Sequence, residues 1–265
     1  MKIYVCVKQV PDTSGKVAVN PDGPLNRASM QTIINPDDMN AVEAALKIKD
    51  ATGCKVTVVT MGPPPAAGML REALAMGADE AYLVSAREFG GSDTYATSQI
   101  LAAAINKIGV EKDDIVLCGR QAIDGDTAQV GPQIACELGI PQITYARDIK
   151  VEGNKVTVQQ ENEEGYIVTE ANFPVLITAV KDLNEPRFPT IRGTMKAKRR
   201  EIPNLDAAAV AADDAQIGLS GSPTKVRKIF TPPQRSGGLV LKVEDDNEQA
   251  IVDQVMEKLV AQKII

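Results

Sequence analysis

Asp114-Ile-Val-Leu-Cys-Gly-Arg-Gln-Ala-Ile-Asp-Gly-Asp-Thr-Ala-Gln-Val-Gly-Pro-Gln133 combines a short apolar run, a polar loop and the beginning of a helical pattern. The run from Ile115 to Leu117 is of the kind that a parallel sheet buries on both faces. The stretch therefore predicts a buried strand, a loop and a helix, in that order. The apolar residues of the predicted helix recur every four positions, at Val130, Ile134 and Leu138, and Gly139 and Pro141 then end the pattern.

The loop between this strand and this helix has features of an anion-binding turn. Gly119 and Gly125 bracket it, and either Asp126 or Thr127 is expected to cap the helix, with Gln129 placed as in a capping box. A helix start suits a phosphate or an adenine edge because it collects unpaired N–H groups. The loop matches neither G-x-x-x-x-G-K-S/T nor G-x-G-x-x-G, so the pattern alone also fits an ordinary strand-to-helix turn.

The composition excludes several classes of function. The chain has 265 residues, a net charge of -6, 3% aromatic residues and no Trp, which argues against nucleic-acid binding. No apolar run reaches the length that spans a membrane, and the sequence begins with a strand pattern and not with a signal peptide. We therefore expect a cytoplasmic protein, or a mature form after processing, without membrane or nucleic-acid partners.

Histidine is absent from the sequence, which excludes a Ser-His-Asp triad and every metal site that needs imidazole. The cysteines lie far apart without C-x-x-C spacing, at Cys6, Cys54, Cys118 and Cys136. We expect no catalytic side chain and no metal site. Any redox chemistry must then come from a bound organic cofactor.

Strand and helix patterns alternate from the N-terminus to about residue 140. Asn35 and Pro36 open a helix that ends at Gly53, and Ser92 or Asp93 can cap a later one. This alternation predicts an α/β fold with a doubly wound parallel sheet. Ligands of such sheets bind at the carboxyl ends of the strands.

The second half of the chain has a different pattern. Four short strands over residues 143–181 predict an antiparallel β-meander appended to the α/β core, and a basic segment follows over 184–200. Residues 1–200 are thus expected to form one nucleotide-binding domain. Residues 201–225 are expected to be a linker, and 226–265 an extended C-terminal arm and helix that pack on another subunit.

Several motifs together resemble the β subunit of electron-transfer flavoprotein, whose fold is similar to the adenine-nucleotide α-hydrolase group. The resemblance covers nearly the whole chain. The motifs that carry it are Val5 to Asp12, Ala73 to Asp79, Cys118 to Gln133, Asn-Glu-Pro-Arg-Phe-Pro at 184–189 and Met-Lys-Ala-Lys-Arg-Arg at 195–200.

The resemblance implies a heterodimer with a larger α subunit that carries the electron-transferring FAD. It also implies a nucleotide on this chain, which is a structural AMP in simple electron carriers and a second FAD, reduced by NADH, in electron-bifurcating members. The implied nucleotide contacts are Cys6, Asn35, Pro36, Asp37, Asp38, Met61, Gly119, Arg120, Gln121, Ala122, Ile123, Asp124, Gly125, Asp126, Thr127, Ala128, Gln129 and Val130.

The segment Gly91 to Ser98 is similar to that of the bifurcating members, in which Thr94 and Thr97 would face the flavin phosphates. The alternative is that Ser92 and Asp93 simply cap a surface helix. With FAD, the implied function is electron bifurcation between an acyl-CoA dehydrogenase and a ferredoxin or flavodoxin. With AMP, it is simple transfer of electrons from acyl-CoA dehydrogenases to an acceptor.

The basic segment has two interpretations. A run of charge is by default a solvated face. The resemblance implies a docking loop for acyl-CoA dehydrogenases, in which Ile191 and Met195 anchor and Lys196 and Lys198 form a charged rim. Nearby, Glu185 and Arg187 are expected to form a structural charge pair.

Two other functions fit the fold class. An ATP pyrophosphatase would need a Ser-Gly-Gly-x-Asp-Ser loop after its first strand, and Gly90 to Asp93 is only a faint echo at another position. A nucleotide-sensing stress protein would be shorter and would lack the basic segment. A flavin absorption spectrum of the purified complex would distinguish the electron carrier from both.

Overall fold

The computed structural model describes residues 1–12, 31–210, 213, 215–227, 238, 240–244 and 247–265. The chain divides into two compact units, Met1–Arg227 and Lys228–Ile265. The strands and helices are, in order, β1 Lys2–Cys6, β2 Gln9–Pro11, β3 Thr32–Ile34, α1 Pro36–Thr52, β4 Lys55–Met61, α2 Ala67–Met76, β5 Glu80–Val84, α3 Thr94–Ile108, β6 Ile115–Gly119, α4 Val130–Leu138, β7 Gln142–Glu152, β8 Lys155–Asn162, β9 Gly165–Asn172, β10 Val175–Ala179, α5 Ile191–Arg199, β11 Asn204–Leu205, α6 Ala207–Val210, α7 Gly218–Gly221 and α8 Glu248–Ala261.

One nine-stranded sheet organises the first unit, in the order β11-β5-β4-β1-β6-β10-β7-β8-β9. The pairs from β11 to β7 are parallel. Helices α1 and α2 cover one face, and α3 and α4 cover the other, so the sheet lies between two apolar clusters. The predicted α/β fold with a doubly wound, mostly parallel sheet is confirmed. β2 and β3 form a separate antiparallel pair.

The ends of the helices follow the expected sequence signals. α1 begins at Pro36 after Asn35 and ends at Gly53, which adopts the left-handed conformation with φ 74°. Asp93 is the N-cap of α3, because its carboxylate accepts a hydrogen bond from the Ala96 amide. Of the two caps that the sequence allowed, the structure therefore uses Asp93.

The predicted antiparallel meander over 143–181 is only partly right. β7, β8 and β9 do pair antiparallel. β10, however, lies between β6 and β7 and pairs with both in parallel. All five residues of β10, Val-Leu-Ile-Thr-Ala, are buried. A strand that is buried along its whole length belongs in the interior of a sheet, whereas a meander strand alternates between core and solvent.

The expected linker over 201–225 is wrong for the residues described. Asn204–Leu205 form β11, which pairs with the otherwise unpaired edge of β5. Val210 and Ile217 are buried in the apolar cluster on the α3 face. The alanine-rich composition of the segment gave no sign of a strand. Two residues are enough to cover the edge of β5, and so short a strand leaves little pattern in the sequence.

The second unit contains α8, a helix with several apolar residues, of which Val252, Val255 and Val260 are exposed. Its packing against another subunit remains a prediction. Across the described ranges of the chain, no helix has both the length and the apolar character needed to cross a membrane.

Candidate functional site

The candidate site lies where the order of the strands reverses. From β1 the chain passes through α1 to β4 on one side, and it later returns through α3 to β6 on the other side of β1. The helices on the two sides cover opposite faces of the sheet. The carboxyl ends of β1 and β6 therefore border a crevice, which is where sheets of this kind bind ligands.

A buried carboxylate braces this crevice. Asp38, in the first turn of α1, accepts hydrogen bonds from the backbone N–H of Lys8 at 2.8 Å and of Gly119 at 2.8 Å. These two amides lie just beyond β1 and at the end of β6. The space is so tight that a Cβ on Gly119 would come 2.6 Å from the Asp38 backbone nitrogen. Burial raises the pKa of the Asp38 carboxyl to about 7, although the two amides and Asn35 oppose that shift.

Asn35 holds the loop that follows β6. Its Nδ2 donates to the carbonyl oxygen of Gln121 at 2.8 Å, and its Oδ1 accepts from the N–H of Ile123 at 3.1 Å. This arrangement explains why Asn35 makes no side-chain cap bond to α1. The side chain is used to position the loop instead.

Asp37 makes a second connection between α1 and the same loop. Its carboxylate accepts from the Gln121 amide, and its Oδ2 lies 3.3 Å from Nε of Arg120. The pKa of Asp37 is raised because burial outweighs the nearby guanidinium. The start of α1 thus fixes Arg120, Gln121 and Ile123 after β6, through the side chains of Asn35 and Asp37, while Asp38 holds Gly119 at the end of the strand.

Inside the loop, both acidic side chains are paired. Asp124 forms an ion pair with Lys8 at 2.7 Å, and Asp126 accepts from Nε2 of Gln121 at 2.7 Å. The backbone turns sharply, since Asp126 and Ala128 both have φ of 52°. Asn and Asp tolerate this left-handed region better than Ala does, which makes Ala128 an outlier of the kind found at ligand sites. The positive charge of Lys8 reduces the repulsion that Asp124 would exert on a phosphate, and the hydrogen bond from Gln121 fixes the direction of the Asp126 carboxylate.

The predicted cap of α4 is wrong. α4 begins at Val130, and Gln129 occupies the cap position without a side-chain hydrogen bond. Asp126 and Thr127 lie in the turn before it, where Asp126 is held by Gln121. The first N–H groups of α4 therefore have no capping side chain, which leaves them available to an anionic ligand.

Gln129 also connects the start of α4 to that of α3. Thr94 Oγ1 donates to Gln129 Oε1 at 3.3 Å, so the two helix N-termini lie at the same edge of the sheet. Thr94 and Thr97 both belong to the first turn of α3 and are partly exposed. The structure therefore brings Thr94 to the loop that the sequence singled out, and Thr97 lies three residues further along α3.

The floor of the crevice is formed by small side chains. Cys6 and Cys118 are register partners in β1 and β6 and are buried on the α3 face. Burial raises the pKa of the Cys6 thiol to about 12 and raises that of Cys118 as well, so neither is a reactive thiolate. Met61, at the end of β4, packs against the same cluster. Cys6 and Cys118 act as packing residues.

Three further residues belong to the site although sequence reasoning missed them. Lys8 pairs with Asp124, and its signal was its position two residues after β1. Gly131 allows α4 to approach the sheet, since a Cβ there would lie 2.7 Å from Sγ of Cys118. Gln133 Oε1 is buried and has no hydrogen-bond partner among the described residues.

The chemistry of these groups fits a ligand that carries phosphate. An uncapped helix start and the hydroxyls of Thr94 and Thr97 suit phosphate oxygens. Gln133 Oε1 is a buried acceptor that a donor group of a ligand could satisfy. No group of acidic, Cys or His residues within the described part of the chain could hold a metal ion.

The predicted docking residues lie on a helix and not in a loop. Thr190 caps α5 by accepting from the Gly193 amide at 2.9 Å. Ile191 is 84% exposed and Met195 is 56% exposed, one turn apart, and Lys196 and Lys198 are exposed as well. These two exposed apolar side chains form a candidate contact surface for another protein.

The predicted pair between Glu185 and Arg187 is wrong. Arg187 instead forms two hydrogen bonds from its guanidinium to the Glu43 carboxylate of α1, at 2.8 and 3.0 Å. It also reaches Asp50 at 2.8 Å. Glu43 is 3% exposed and therefore needs a charged partner, whereas Glu185 is its neighbour only in sequence. The pKa of Arg187 is raised, chiefly by its bond to Glu43.

Comparison with known proteins identifies the family. Residues 24–210 match the electron transfer flavoprotein domain. The chain is 78% identical, over the full length of both proteins, to "Electron transfer flavoprotein subunit beta" of Megasphaera elsdenii. It is 58% identical to "Acryloyl-CoA reductase electron transfer subunit gamma" of Anaerotignum propionicum, over 97% of this chain and 99% of that one. It is also 50% identical to "Caffeyl-CoA reductase-Etf complex subunit CarD" of Acetobacterium woodii, with the same coverage. The chain therefore belongs to the electron transfer flavoprotein family, among its beta-type subunits.

Proposed function

We propose that this chain is the β subunit of a heterodimeric electron-transfer flavoprotein that binds FAD and oxidises NADH. In this proposal the complex bifurcates the electrons between an acyl-CoA dehydrogenase and a ferredoxin or flavodoxin. The relatives from Anaerotignum and Acetobacterium are named as subunits of CoA-linked reductase systems, which supports a partner that acts on acyl-CoA compounds.

The contact between Thr94 and Gln129 is the observation that carries the choice of FAD. AMP has one phosphate, for which the start of α4 and its preceding loop would suffice. The threonines of α3 add a second group of donors beside that loop, and a dinucleotide has a pyrophosphate to occupy both. FAD supplies the capacity to accept a hydride and to pass electrons on singly.

The protein's own residues have positioning roles in this proposal. Asn35, Asp37 and Asp38 fix the loop after β6, so that its backbone is organised before the ligand arrives. Lys8 and Gln121 hold the loop carboxylates away from the phosphates. Ile191 and Met195 would anchor the dehydrogenase, with Lys196 and Lys198 beside them.

Counting the nucleotides of the purified heterodimer tests the proposal. Acid release should yield two FAD per heterodimer and no AMP. One FAD together with one AMP would refute the bifurcating function and leave the simple electron carrier.

The double substitution Thr94→Val and Thr97→Val tests the role of α3. Hydrogen bonds to charged groups contribute about 1.5–3 kcal/mol each. We therefore expect the dissociation constant of the β-bound FAD to rise about tenfold or more. Thr157→Val, a partly exposed strand position in β8, is the control and should retain the flavin. Unchanged retention in the double variant would show that the threonines do not contact the cofactor.

A further inference from the structure

A cationic groove runs along one side of α5, separate from the nucleotide site. It encloses about 400 Å³ between α5 and the C-terminal end of α2. The groove is lined by four basic side chains and one acidic side chain, together with backbone and small residues of α2. The charged residues are Lys49, Asp79, Arg192, Lys196 and Arg200.

Helix α5 is fixed so that this side faces α2. Gly193 packs so closely that a Cβ there would overlap the carbonyl oxygen of Ala75, and Ala197 is buried. Arg71 of α2 donates to the carbonyl oxygens of Ala197 and Arg200, at 2.8 and 3.0 Å. The groove is therefore a built feature of two packed helices.

The charges in the groove are unbalanced. Asp79 is already paired with Lys49, whose Nζ lies 2.7 Å from its carboxylate. Arg192 and Lys196 of α5 and Arg200, the residue just after its end, follow each other at intervals of four residues, so they form a row along this side of the helix. In the part of the chain that the structure describes, no carboxylate lies within ion-pair distance of any of these three.

The length of the row indicates what it binds. Eight residues of helix rise about 12 Å, so the three cations are spread over roughly that distance. The oxygens of a single phosphate are too close together to reach all three. In an extended peptide, residues on one face recur about every 7 Å, so two or three acidic side chains match the row.

The neighbouring surface indicates where such a peptide comes from. The exposed apolar residues Phe188, Ile191 and Met195 lie on or just before the same helix, and Phe188 is 90% exposed. Ile191 and Met195 lie about a quarter turn from the cationic row. A protein that buries them therefore places its adjoining residues over the groove, whereas a free anion would leave these side chains in water.

We propose that the groove binds an extended acidic segment of the dehydrogenase that docks on α5. This inference rests on the proposed function for the identity of that partner. The row of Arg192, Lys196 and Arg200 then sets the orientation of the bound protein, while the apolar residues supply most of the contact area.

Binding of a fluorescein-labelled hexaglutamate peptide to the complete heterodimer tests the groove directly, by fluorescence anisotropy. The variant Arg192→Gln with Lys196→Gln removes one Arg and one Lys from the groove. The control, Arg199→Gln with Lys107→Gln, removes the same charges from exposed positions that do not line it. We expect about tenfold weaker binding in the groove variant and less than about threefold in the control. Unchanged thermal melting would show that both variants are folded.

Equal losses in the two variants would overturn the proposal, because net charge would then explain the binding. Groove-dependent binding of inorganic tripolyphosphate without binding of hexaglutamate would overturn it too and would indicate a small-anion site. In electron transfer from an acyl-CoA dehydrogenase, the groove variant should raise KM and leave kcat unchanged. If the unaltered heterodimer reacts with no acyl-CoA dehydrogenase but the peptide results hold, the proposed function fails and the acidic-segment site stands.

Discussion

The buried carboxylate of Asp38 should make the stability of this protein depend on pH in an unusual direction. Burial raises the pKa of the folded protein's Asp38 from 3.8 to about 7. Between these values the folded state binds a proton that the unfolded state has released. The free energy of unfolding must then fall as the pH rises from about 4 to 7, and it should level off above that range.

The magnitude follows from the size of the shift. Each pKa unit corresponds to about 1.4 kcal/mol, so a shift of roughly three units amounts to about 4 kcal/mol. Asp38→Asn removes this titration and keeps the size of the side chain. The difference in unfolding free energy between the natural protein and this variant should therefore shift by about 4 kcal/mol, against the natural protein, between pH 4 and pH 8.

Urea unfolding of the heterodimer at fixed protein concentration and a series of pH values would measure that difference. Subtracting the variant's curve removes the titration of every other group that is not coupled to Asp38. A difference that stays constant within about 0.5 kcal/mol would refute the reasoning. A difference that favours the natural protein at high pH would show that the amides of Lys8 and Gly119 outweigh burial.

Two further substitutions, each with its own control, test the ion pair between Arg187 and Glu43 and the close packing of α4 on the sheet. Arg187→Ala leaves the carboxylate of Glu43 buried without its partner, and we expect it to lower the unfolding free energy by about 3 kcal/mol. This value is at the low end for a broken buried ion pair because Arg187 is itself partly exposed. Lys155→Ala breaks the exposed pair with Glu170 and should cost less than about 1 kcal/mol in the same urea titration. Gly131→Ala places a methyl group 2.7 Å from Sγ of Cys118 and should cost about 1–3 kcal/mol and release the bound nucleotide. Gly68→Ala, an exposed position of α2 where a Cβ meets nothing within 4 Å, should raise thermal melting slightly because Ala favours the helix, and should leave the nucleotide content unchanged.

The central sheet and its helices could be predicted because their signals are local. The run Ile115 to Leu117 and the spacing of Val130, Ile134 and Leu138 indicated a strand and a helix, and both are present. Gly53 and Gly139 end their helices in the left-handed conformation that favours glycine. Such preferences depend on a few neighbouring residues, so the sequence displays them directly.

The errors came from contacts between distant parts of the chain. The position of β10 depends on pairing with β6, which lies far upstream, although its run of residues without polar alternation already favoured a parallel strand. Arg187 is closest in sequence to Glu185 but is bound by Glu43 of α1. The start of α4 is an exception, since the contact that draws Asp126 away from the cap position is local: Gln121, five residues upstream, holds Asp126 in the preceding turn. Local propensity could not reveal that a distant partner would prevail.

Helix α1 connects the nucleotide loop to the segment that leads into α5. Near its start, Asn35 and Asp38 hold the loop after β6. Further along, Asn40 exchanges hydrogen bonds with Asn184, at 2.7 and 3.0 Å, and Glu43 binds Arg187.

From Asp38 to Glu43 the helix rises only about 7.5 Å, and a hydrogen-bonded helix does not stretch. The polar side chains of α1 are bound to the loop after β6 near the start of the helix and to residues 184–187 further along. Neither of these two segments can therefore shift along α1 without breaking buried polar contacts. The loop after β6 and the segment that leads into α5 are therefore held at a fixed spacing. A partner that docks on α5 would then meet the loop after β6 in one defined position, and the buried polar residues Asp37, Asp38, Asn40 and Glu43 of α1 are the ones that hold this spacing.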